Sequence, residues 1–299
     1  MMVIVMENRY SSHLTSMKCI LMAVLLFMSC DFSQEPTYTK DEEVKKEESI
    51  INSLGTTIEV RFNTPEDFRR NKVAENSYAY YLRNLPLHKT GKIVELYDGN
   101  LKGNQNAQAA VIKMDVGSQD LQQCADAIMR LRAEYLYKQK RYADLHFNFT
   151  NGFNAKYSHW RKGKGLSING NRVSWVTSSK SNGSYESFRR YMNKVFMFAG
   201  TASLEKELKL KPLKEIEAGD VFIKGGHPGH AVIVVDVCEH KNGDKAFMLA
   251  QSYMPAQEIH VLKNPSNEFI SPWYKVSEID EMVVTPEWTF YSNQLRTFE

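Results

Sequence analysis

Residues Glu217 to Asp236 read Glu-Ala-Gly-Asp-Val-Phe-Ile-Lys-Gly-Gly-His-Pro-Gly-His-Ala-Val-Ile-Val-Val-Asp. Two short apolar runs flank a loop that is rich in glycine, which is typical of adjacent antiparallel strands. The loop delivers His230 to the start of the second run, where a histidine is held rigidly yet is expected to remain reachable from solvent. Such a position suits a general base. His227 lies within the loop and is expected to be exposed to solvent.

The pattern around this stretch predicts helices first and strands later. Helices are expected at residues 77–83, 121–138 and 185–198. Strands are expected at residues 57–62, 93–97, 110–114, 220–224, 230–238, 246–251 and 258–262. Because strands and helices do not alternate in βαβ order, the sequence predicts the α+β class, with a single domain over residues 56–299.

Composition and charge exclude several classes of protein. The chain has 299 residues, 42% of them hydrophobic and 24% charged, as in ordinary globular proteins. The formal net charge is only +3 and the basic residues are spread along the chain, so no nucleic-acid partner is expected. The four cysteines are too few for a disulfide scaffold and lack the spacing of zinc sites. The sequence predicts neither a cofactor nor a metal site.

Residues 1–29 are expected to be upstream residues and a signal peptide. Met17-Lys18 precede an apolar run of about ten residues, which is too short to span a membrane. The run ends in Leu-Leu-Phe-Met-Ser-Cys, which resembles a bacterial lipobox in which Cys30 would be lipidated. Residues 30–55 are then the lipidated cysteine and a charged tether. This places the domain in the cell envelope, on the periplasmic or outer-membrane side; an ordinary signal peptide or hydrophobic anchor is the alternative.

Cys124 is the candidate nucleophile. Asp120 and Gln123 fit a capping box, which predicts a helix that begins near Leu121 and carries Cys124 in its first turn. The N-terminus of a helix favours a thiolate, so a lowered thiol pKa is expected.

Two structural roles compete with catalysis at Cys124. The cysteine continues a helical apolar stripe, in which it would pack as a small hydrophobe. A disulfide with Cys238 is the other. Cys238 lies about 26 Å along an extended strand from His230, so Cys124 cannot both act with His230 in catalysis and form a disulfide with Cys238. The catalytic hypothesis therefore predicts two free thiols, with Cys238 inert.

A third group that orients the imidazole is expected from the strand after the histidine. If Asn242-Gly243 forms a two-residue hairpin turn, Gln251 lies opposite Val234 and on the same face as His230. A bulge or a twist would then bring its amide to the imidazole. Gln251 is therefore the predicted orienting residue.

Other polar side chains near these positions are assigned lesser roles. Asp236 shares the face of His230 but lies about 20 Å along the strand, which excludes it. Gln257 is the alternative to Gln251. Gln122 or Gln123 is placed to supply an oxyanion donor together with a backbone N–H, although capping competes for Gln123.

The order of these features resembles the NlpC group of papain-like bacterial cell-wall peptidases. The segment Glu217 to Ile223, followed by His230-Ala-Val-Ile-Val-Val, is similar to their Gly-Asp-Leu-Val-Phe and His-Val-Gly-Ile motifs. Their Asp-Cys-Ser-Gly motif around the cysteine is absent. The resemblance implies a papain-like fold in which a helix-borne cysteine packs on an antiparallel sheet.

Longer strings resemble a family of bacterial lipoproteins known only by a domain of unknown function. The resemblance covers about residues 61–272. It rests on Leu82-Arg-Asn-Leu-Pro86, Asp120-Leu-Gln-Gln-Cys-Ala-Asp126, Arg130-Leu-Arg-Ala-Glu-Tyr135 and Ala250-Gln-Ser-Tyr-Met-Pro-Ala-Gln257.

These observations predict an envelope lipoprotein that hydrolyses an amide or ester bond. Cys124 would be the nucleophile, His230 the base and Gln251 the group that fixes the imidazole tautomer. The expected partners are the membrane, through the lipid anchor, and a cell-wall peptide or glycan.

Two other functions remain open at this point. A non-catalytic lipoprotein would use a papain-like groove to bind a peptide or glycan, with exposed aromatic side chains for sugar stacking. The candidates for stacking are Trp160, Trp175 and Trp273. A purely structural envelope component is the third function.

Overall fold

The computed structural model of the protein describes residues 49–299. The expected signal peptide, Cys30 and the tether up to residue 48 lie outside the described residues. Within residues 49–299, no helix combines the length and the apolar character needed to cross a membrane. This part of the chain falls within one compact unit.

The described residues form short helices and strands in a mixed order. The helices are α1 (Ile58–Arg61), α2 (Tyr78–Arg83), α3 (Cys124–Lys138), α4 (Tyr157–Trp160), α5 (Tyr185–Phe198) and α6 (Thr201–Glu207). The first strands are β1 (Phe68–Arg69), β2 (Gln108–Val111), β3 (His146–Asn148), β4 (Asn154–Lys156), β5 (Lys164–Asn169) and β6 (Arg172–Thr177). The later strands are β7 (Lys209–Leu210), β8 (Val221–Lys224), β9 (His230–His240), β10 (Lys245–Gln251), β11 (His260–Leu262), β12 (Trp273–Lys275), β13 (Met282–Val284), β14 (Thr289–Tyr291) and β15 (Leu295–Thr297).

One nine-stranded sheet organises the structure. Its order is β2-β11-β10-β9-β8-β15-β7, with β1 added beside β9 and β12 beside β10. All of its strand pairs are antiparallel. The hairpins β3–β4, β5–β6 and β13–β14 lie outside this sheet. The α+β class predicted from the sequence is therefore confirmed.

Strand β9 lies at the centre of the sheet and is buried on both faces. Ala231, Ile233 and Val235 belong to the larger hydrophobic core, which also contains side chains of α3 and α5. Val232 and Val234 belong to a smaller core that the C-terminal segment covers. Because successive side chains of a strand point to opposite faces, this one apolar run supplies both cores.

Helix α3 begins at Cys124, later than the sequence predicts. The predicted cap, Asp120, is used elsewhere: its Oδ1 accepts from Gln123 Nε2 at 3.0 Å and from the Ala256 N–H at 2.7 Å. Gln123 is the N-cap instead, and Asp126 Oδ2 accepts the Gln123 N–H at 3.2 Å. Cys124 is therefore the first residue of the helix, where backbone N–H groups have no partner within the helix.

Residues 57–62 form a helical turn rather than the predicted strand. The Thr57 hydroxyl accepts the Val60 N–H and caps α1. Ile58 and Phe62 are fully buried, and their spacing fits one side of a helix. The alternation of polar and apolar residues over so short a stretch does not distinguish the two structures.

Other parts of the sequence prediction also differ from the structure. Residues 93–97 form only isolated bridges, and the β5–β6 hairpin and α6 were not predicted. Ile51 pairs with Phe62, so residues from Ile51 onward pack with the domain instead of extending the tether. Helix α5 has the predicted bounds, and the four predicted strands of the last third are present.

The β9–β10 turn is longer by one residue than predicted. The His240 N–H donates to the Asp244 carbonyl at 2.8 Å, and Gly243 adopts a φ of 88°. Lys245 therefore lies opposite Glu239, one position away from the predicted register.

A bulge then shifts β10 along β9 by one more residue. It follows Met248, and beyond it Ala250 pairs with Ile233. Two shifts of one residue leave Gln251 on the predicted face of the sheet. They also place Gln251 opposite a position of β9 that is two residues nearer to His230 than Val234, the predicted partner.

Asp236 binds two arginines and takes no part in the cavity described below. Its side chain is fully buried, Oδ2 lies 2.6 Å from Arg70 Nε, and Oδ1 lies 2.7 Å from Arg83 Nε. Oδ1 also accepts the Val237 N–H at 2.9 Å. This ion pair ties α2 and the loop after β1 to the central strand.

We expect Asp236→Asn to lower the free energy of unfolding by about 3–5 kcal/mol, because it leaves two poorly exposed guanidinium groups without their counter-charge. Urea unfolding followed by circular dichroism measures the change. Glu186→Gln removes one partner of an exposed i,i+4 pair with Arg190 and is the matched control, with an expected change within about 0.5 kcal/mol. Equal losses in the two variants would contradict the role of Asp236.

Candidate active site

A cavity of about 400 Å³ lies where the N-terminus of α3 meets the loop before β9. Cys124 and His230 both line it, and Tyr253, Met254 and Trp288 contribute from the C-terminal third of the chain. The fold thus brings together two residues that are far apart in sequence. Among the described residues, no hydrogen bond joins the Cys124 sulfur directly to the imidazole.

Cys124 opens helix α3 and is only partly exposed. Burial raises the pKa of its thiol to about 11, and the nearby charge of Asp126 adds to this effect. The backbone N–H groups of Ala125 and Ala231 act in the opposite direction. The expectation of a lowered thiol pKa is therefore wrong for the free protein, because desolvation outweighs the N-terminus of the helix. Cys124 is a neutral thiol at neutral pH.

His230 opens β9 and is 2% exposed. The Tyr253, Trp288 and Phe290 rings surround its imidazole, with centroids 4.7, 5.4 and 5.9 Å away. The loop before His230 is closely packed, because a Cβ on Gly229 would lie 2.4 Å from the carbonyl oxygen of another loop glycine. Burial lowers the pKa of His230 to about 4, against the opposing effects of a hydrogen bond and a distant carboxylate. The imidazole is neutral at neutral pH.

Gln251, the predicted orienting residue, contacts the imidazole directly. It is the last residue of β10 and is fully buried. Its Oε1 lies 2.8 Å from His230 Nε2. The longer turn and the bulge described above produce this contact, because they carry the amide toward the start of β9.

Two acceptors determine which way the Gln251 amide faces. Its Nε2 donates to Glu287 Oε2 at 2.7 Å, and a carboxylate can only accept. The same nitrogen lies 3.4 Å from His260 Nε2. His260 Nδ1 faces the Glu258 carbonyl at 2.9 Å and therefore carries the proton, which makes Nε2 of that ring an acceptor. The amide oxygen must then face His230.

This orientation fixes the tautomer of His230. Because the Gln251 oxygen accepts, His230 Nε2 must carry the proton. Nδ1 then holds the lone pair and is the basic nitrogen. A neutral imidazole and a thiol that line the same cavity are the residue types that nucleophilic catalysis uses.

Glu287 is held in turn by Lys102. The two form an ion pair in which the Lys102 side chain is 5% exposed and the Glu287 side chain 14%. Lys102 Nζ also donates to the Asn104 carbonyl at 2.9 Å. Sequence reasoning missed Lys102, His260 and Glu287, because they come from three separate segments and form no motif; only the folded sheet places them behind Gln251.

The remaining predicted site residues have other surroundings. Gln122 is buried and does not line the cavity; its Oε1 accepts from Arg130 Nη1 at 3.1 Å. Gln123 lines the cavity, but its side-chain amide donates to Asp120. Gln257 donates to the Pro255 carbonyl. Of the two side chains predicted as oxyanion donors, only Gln123 therefore lines the cavity, and its amide nitrogen is already bonded to Asp120.

The two cysteines of the described domain are both free thiols, as predicted. Cys238 is fully buried in β9, and burial raises its thiol pKa above the ordinary value. His227 lines the cavity and is exposed, as predicted. Within residues 49–299, no three His, Cys, Asp or Glu side chains are grouped so that they could hold a metal ion.

The tryptophans proposed for sugar stacking are not a binding surface. Trp273 is fully buried and donates to the Asn63 carbonyl, and Trp160 is buried against Ser187. Trp175 is half-buried in β6. Trp288, which was not predicted, is the tryptophan that lines the cavity.

Comparisons with known proteins identify a family but no activity. A family model described as Domain of unknown function (4846) matches residues 58–297. No curated protein and no solved structure matches the chain.

We expect Glu287→Gln to change the tautomer of His230. Because Lys102 can only donate, it holds the oxygen of the new glutamine and leaves its nitrogen facing Gln251. The Gln251 oxygen then turns to accept from that nitrogen, and the Gln251 nitrogen faces the imidazole. The imidazole proton then moves to Nδ1. Long-range 1H–15N NMR distinguishes the two tautomers directly.

The matched control is Glu278→Gln. This exposed carboxylate also accepts from an amide, Asn267 Nδ2, at 3.0 and 3.1 Å. It should leave the His230 spectrum unchanged. An Nε2–H imidazole in both variants would show that Glu287 does not control the tautomer.

Proposed function

We propose that this chain, which belongs to the family described as Domain of unknown function (4846), is a thiol hydrolase that cleaves an amide or ester bond. The observation that supports this most is the His230–Gln251 contact, which leaves Nδ1 as the basic nitrogen of an imidazole that lines the same cavity as Cys124. A papain-like arrangement, with a helix-borne cysteine against an antiparallel sheet, is part of the same proposal.

In the proposed reaction, both groups begin neutral. The Cys124 sulfur attacks the substrate carbonyl carbon while its proton passes to His230 Nδ1, and the carbonyl electrons move to the oxygen. The backbone N–H of Cys124, at the start of α3, stabilises that oxyanion. The intermediate collapses as Nδ1 returns the proton to the leaving amine or alcohol, and a thioester remains. Water, deprotonated by Nδ1, then attacks the thioester carbon. The C–S bond breaks, the carboxylic acid leaves, and Nδ1 returns its proton to the sulfur.

A neutral pair suits this cavity better than a preformed ion pair. The pKa values of about 4 for His230 and about 11 for Cys124 put the proton firmly on sulfur in the free protein. The proton therefore moves during the attack, when the developing imidazolium has Gln251 Oε1 to accept from its Nε2–H. Gln251 orients the ring without adding a negative charge beside it, and the Glu287 carboxylate acts from behind the amide.

The location in the cell envelope is a second part of the proposal. It rests on the lipobox-like ending at Cys30 and on the charged residues that follow it, and it makes cell-wall peptide or glycan the natural substrate. Membrane fractionation of cells that carry Cys30→Ala tests it, since an unlipidated protein should leave the membrane fraction. A variant that stays with the membrane would favour a plain N-terminal anchor.

Two observations favour a non-catalytic binding protein as the second candidate. The raised thiol pKa and the nearly complete burial of His230 are also what a closed binding cavity would show. The two candidates differ in whether Cys124 forms a covalent intermediate.

We expect p-nitrophenyl acetate to acylate Cys124 and to be hydrolysed. Cys124→Ala should abolish turnover, and His230→Ala should reduce it by about 10²–10⁴-fold, because the general base is lost. Cys238→Ala is the matched control and should retain activity, since that thiol is buried away from the cavity. Mass spectrometry of the Cys124 peptide identifies the acyl group. Turnover by Cys124→Ala at the wild-type rate would rule out the proposed function.

We expect alkylation of Cys124 by iodoacetamide to rise with pH up to at least pH 9, without a plateau. The thiol pKa of about 11 means that the reactive thiolate fraction grows about tenfold per pH unit below that value. Rates are read from the Cys124 peptide between pH 6 and pH 10. A plateau that begins below pH 7 would show a preformed thiolate–imidazolium pair and contradict the neutral mechanism.

A further inference from the structure

Asp126, a residue of the cavity lining, has one carboxylate oxygen without a hydrogen-bond partner. The residue lines the cavity two positions after Cys124 and is 6% exposed. Its Oδ2 accepts the Gln123 N–H at 3.2 Å. Its Oδ1 is buried and has no hydrogen-bond partner among the described residues.

The role of Asp126 in capping helix α3 does not explain why Oδ1 is unpaired. Capping the start of α3 requires one carboxylate oxygen, and Oδ2 supplies it. Leaving a buried polar atom unpaired costs stability, and buried carboxylates are normally paired. Burial also raises the pKa of Asp126 well above its ordinary value, as expected for a carboxyl group without a cation.

The charge of the cavity indicates what would satisfy Asp126. Two carboxylates, those of Asp120 and Asp126, line it, and none of its lining residues, all of which are described, is Lys or Arg. Asp120 already accepts from Gln123 Nε2 and from the Ala256 N–H. The cavity is therefore complementary to a group that donates hydrogen bonds and carries positive charge.

We propose that Asp126 Oδ1 binds an amino group of the substrate, so that the protein acts on peptides or amides that carry a primary amine close to the bond cleaved. This inference rests on the proposed function, since it names the substrate class of the same cavity. The amine donates one N–H to Oδ1, and its charge offsets the cost of the buried carboxylate. Substrates with a carboxylate at that position are rejected by repulsion.

The test compares three thiol reagents that differ in charge. They are the 2-aminoethyl (cationic), methyl (neutral) and 2-sulfonatoethyl (anionic) methanethiosulfonates. The full chain is treated at pH 8.5, and the rate at Cys124 is read from its peptide by mass spectrometry. Each rate is divided by the rate of the same reagent with 2-mercaptoethanol, which removes intrinsic reactivity.

We expect the normalised rate of the aminoethyl reagent to exceed that of the methyl reagent by about tenfold, as in clefts lined by one sign of charge. Asp126→Asn keeps an oxygen for the cap and should bring the ratio to about one. Asp120→Asn, the matched control, removes the other lining carboxylate and should leave most of the preference. A wild-type ratio of one, or equal losses in both variants, would overturn the inference.

A second measurement keeps the inference testable if the thiol proves unreactive. NMR titration with alaninamide, which has a free amine, is compared with titration with N-acetylalaninamide. We expect shifts at Asp126 with alaninamide only, and loss of those shifts in Asp126→Asn. An inert Cys124 together with binding of alaninamide would reject the hydrolase and keep the amine site. A reactive Cys124 with no preference for amines in either experiment would reject the amine site and keep the hydrolase.

Discussion

The burial of β9 on both faces is the constraint on which the rest of the structure depends. A strand with apolar side chains on both sides must be covered twice, and the helices cover one face while the C-terminal segment covers the other. Because His230 is the first residue of this strand, the same packing that stabilises the sheet also fixes the imidazole. The start of α3, packed on the larger core, then places Cys124 beside the start of the strand.

A chain of buried polar groups determines the chemistry of that imidazole. The hydrogen bonds run from Lys102 through Glu287 and Gln251 to His230. Each atom acts as a donor or as an acceptor, and its neighbour permits only that one role. Such networks are costly when incomplete, so a fully paired one holds its members in a single arrangement. The proton on Nε2 and the lone pair on Nδ1 of His230 follow from the arrangement of acceptors behind it, at a distance from the cavity.

Desolvation controls the charges within the cavity. It holds Cys124 as a thiol, His230 as an imidazole and Asp126 as a carboxyl group with a raised pKa. All three shifts have burial as their largest cause. A substrate that supplies a positive charge and excludes water would change the pKa of each of these three groups. The proposed amine site is therefore connected to the proposed proton transfer between sulfur and imidazole.

Local sequence patterns are enough to predict the helices and strands with long, clear periodicity and the residue types of the Cys124–His230 pair. The apolar run of β9 and the helix α5 follow from local patterns that tertiary contacts did not change, and the same patterns place Cys124 near the start of a helix and His230 at the start of a strand. Tertiary structure alone decided the register of β10, the group behind Gln251 and the ionisation of Cys124. A turn one residue longer and a bulge are invisible in an alternating pattern, and Glu287 is distant in sequence from every residue that it positions. The pKa of the thiol depends on how much water the folded cavity excludes, which no local pattern of residues encodes.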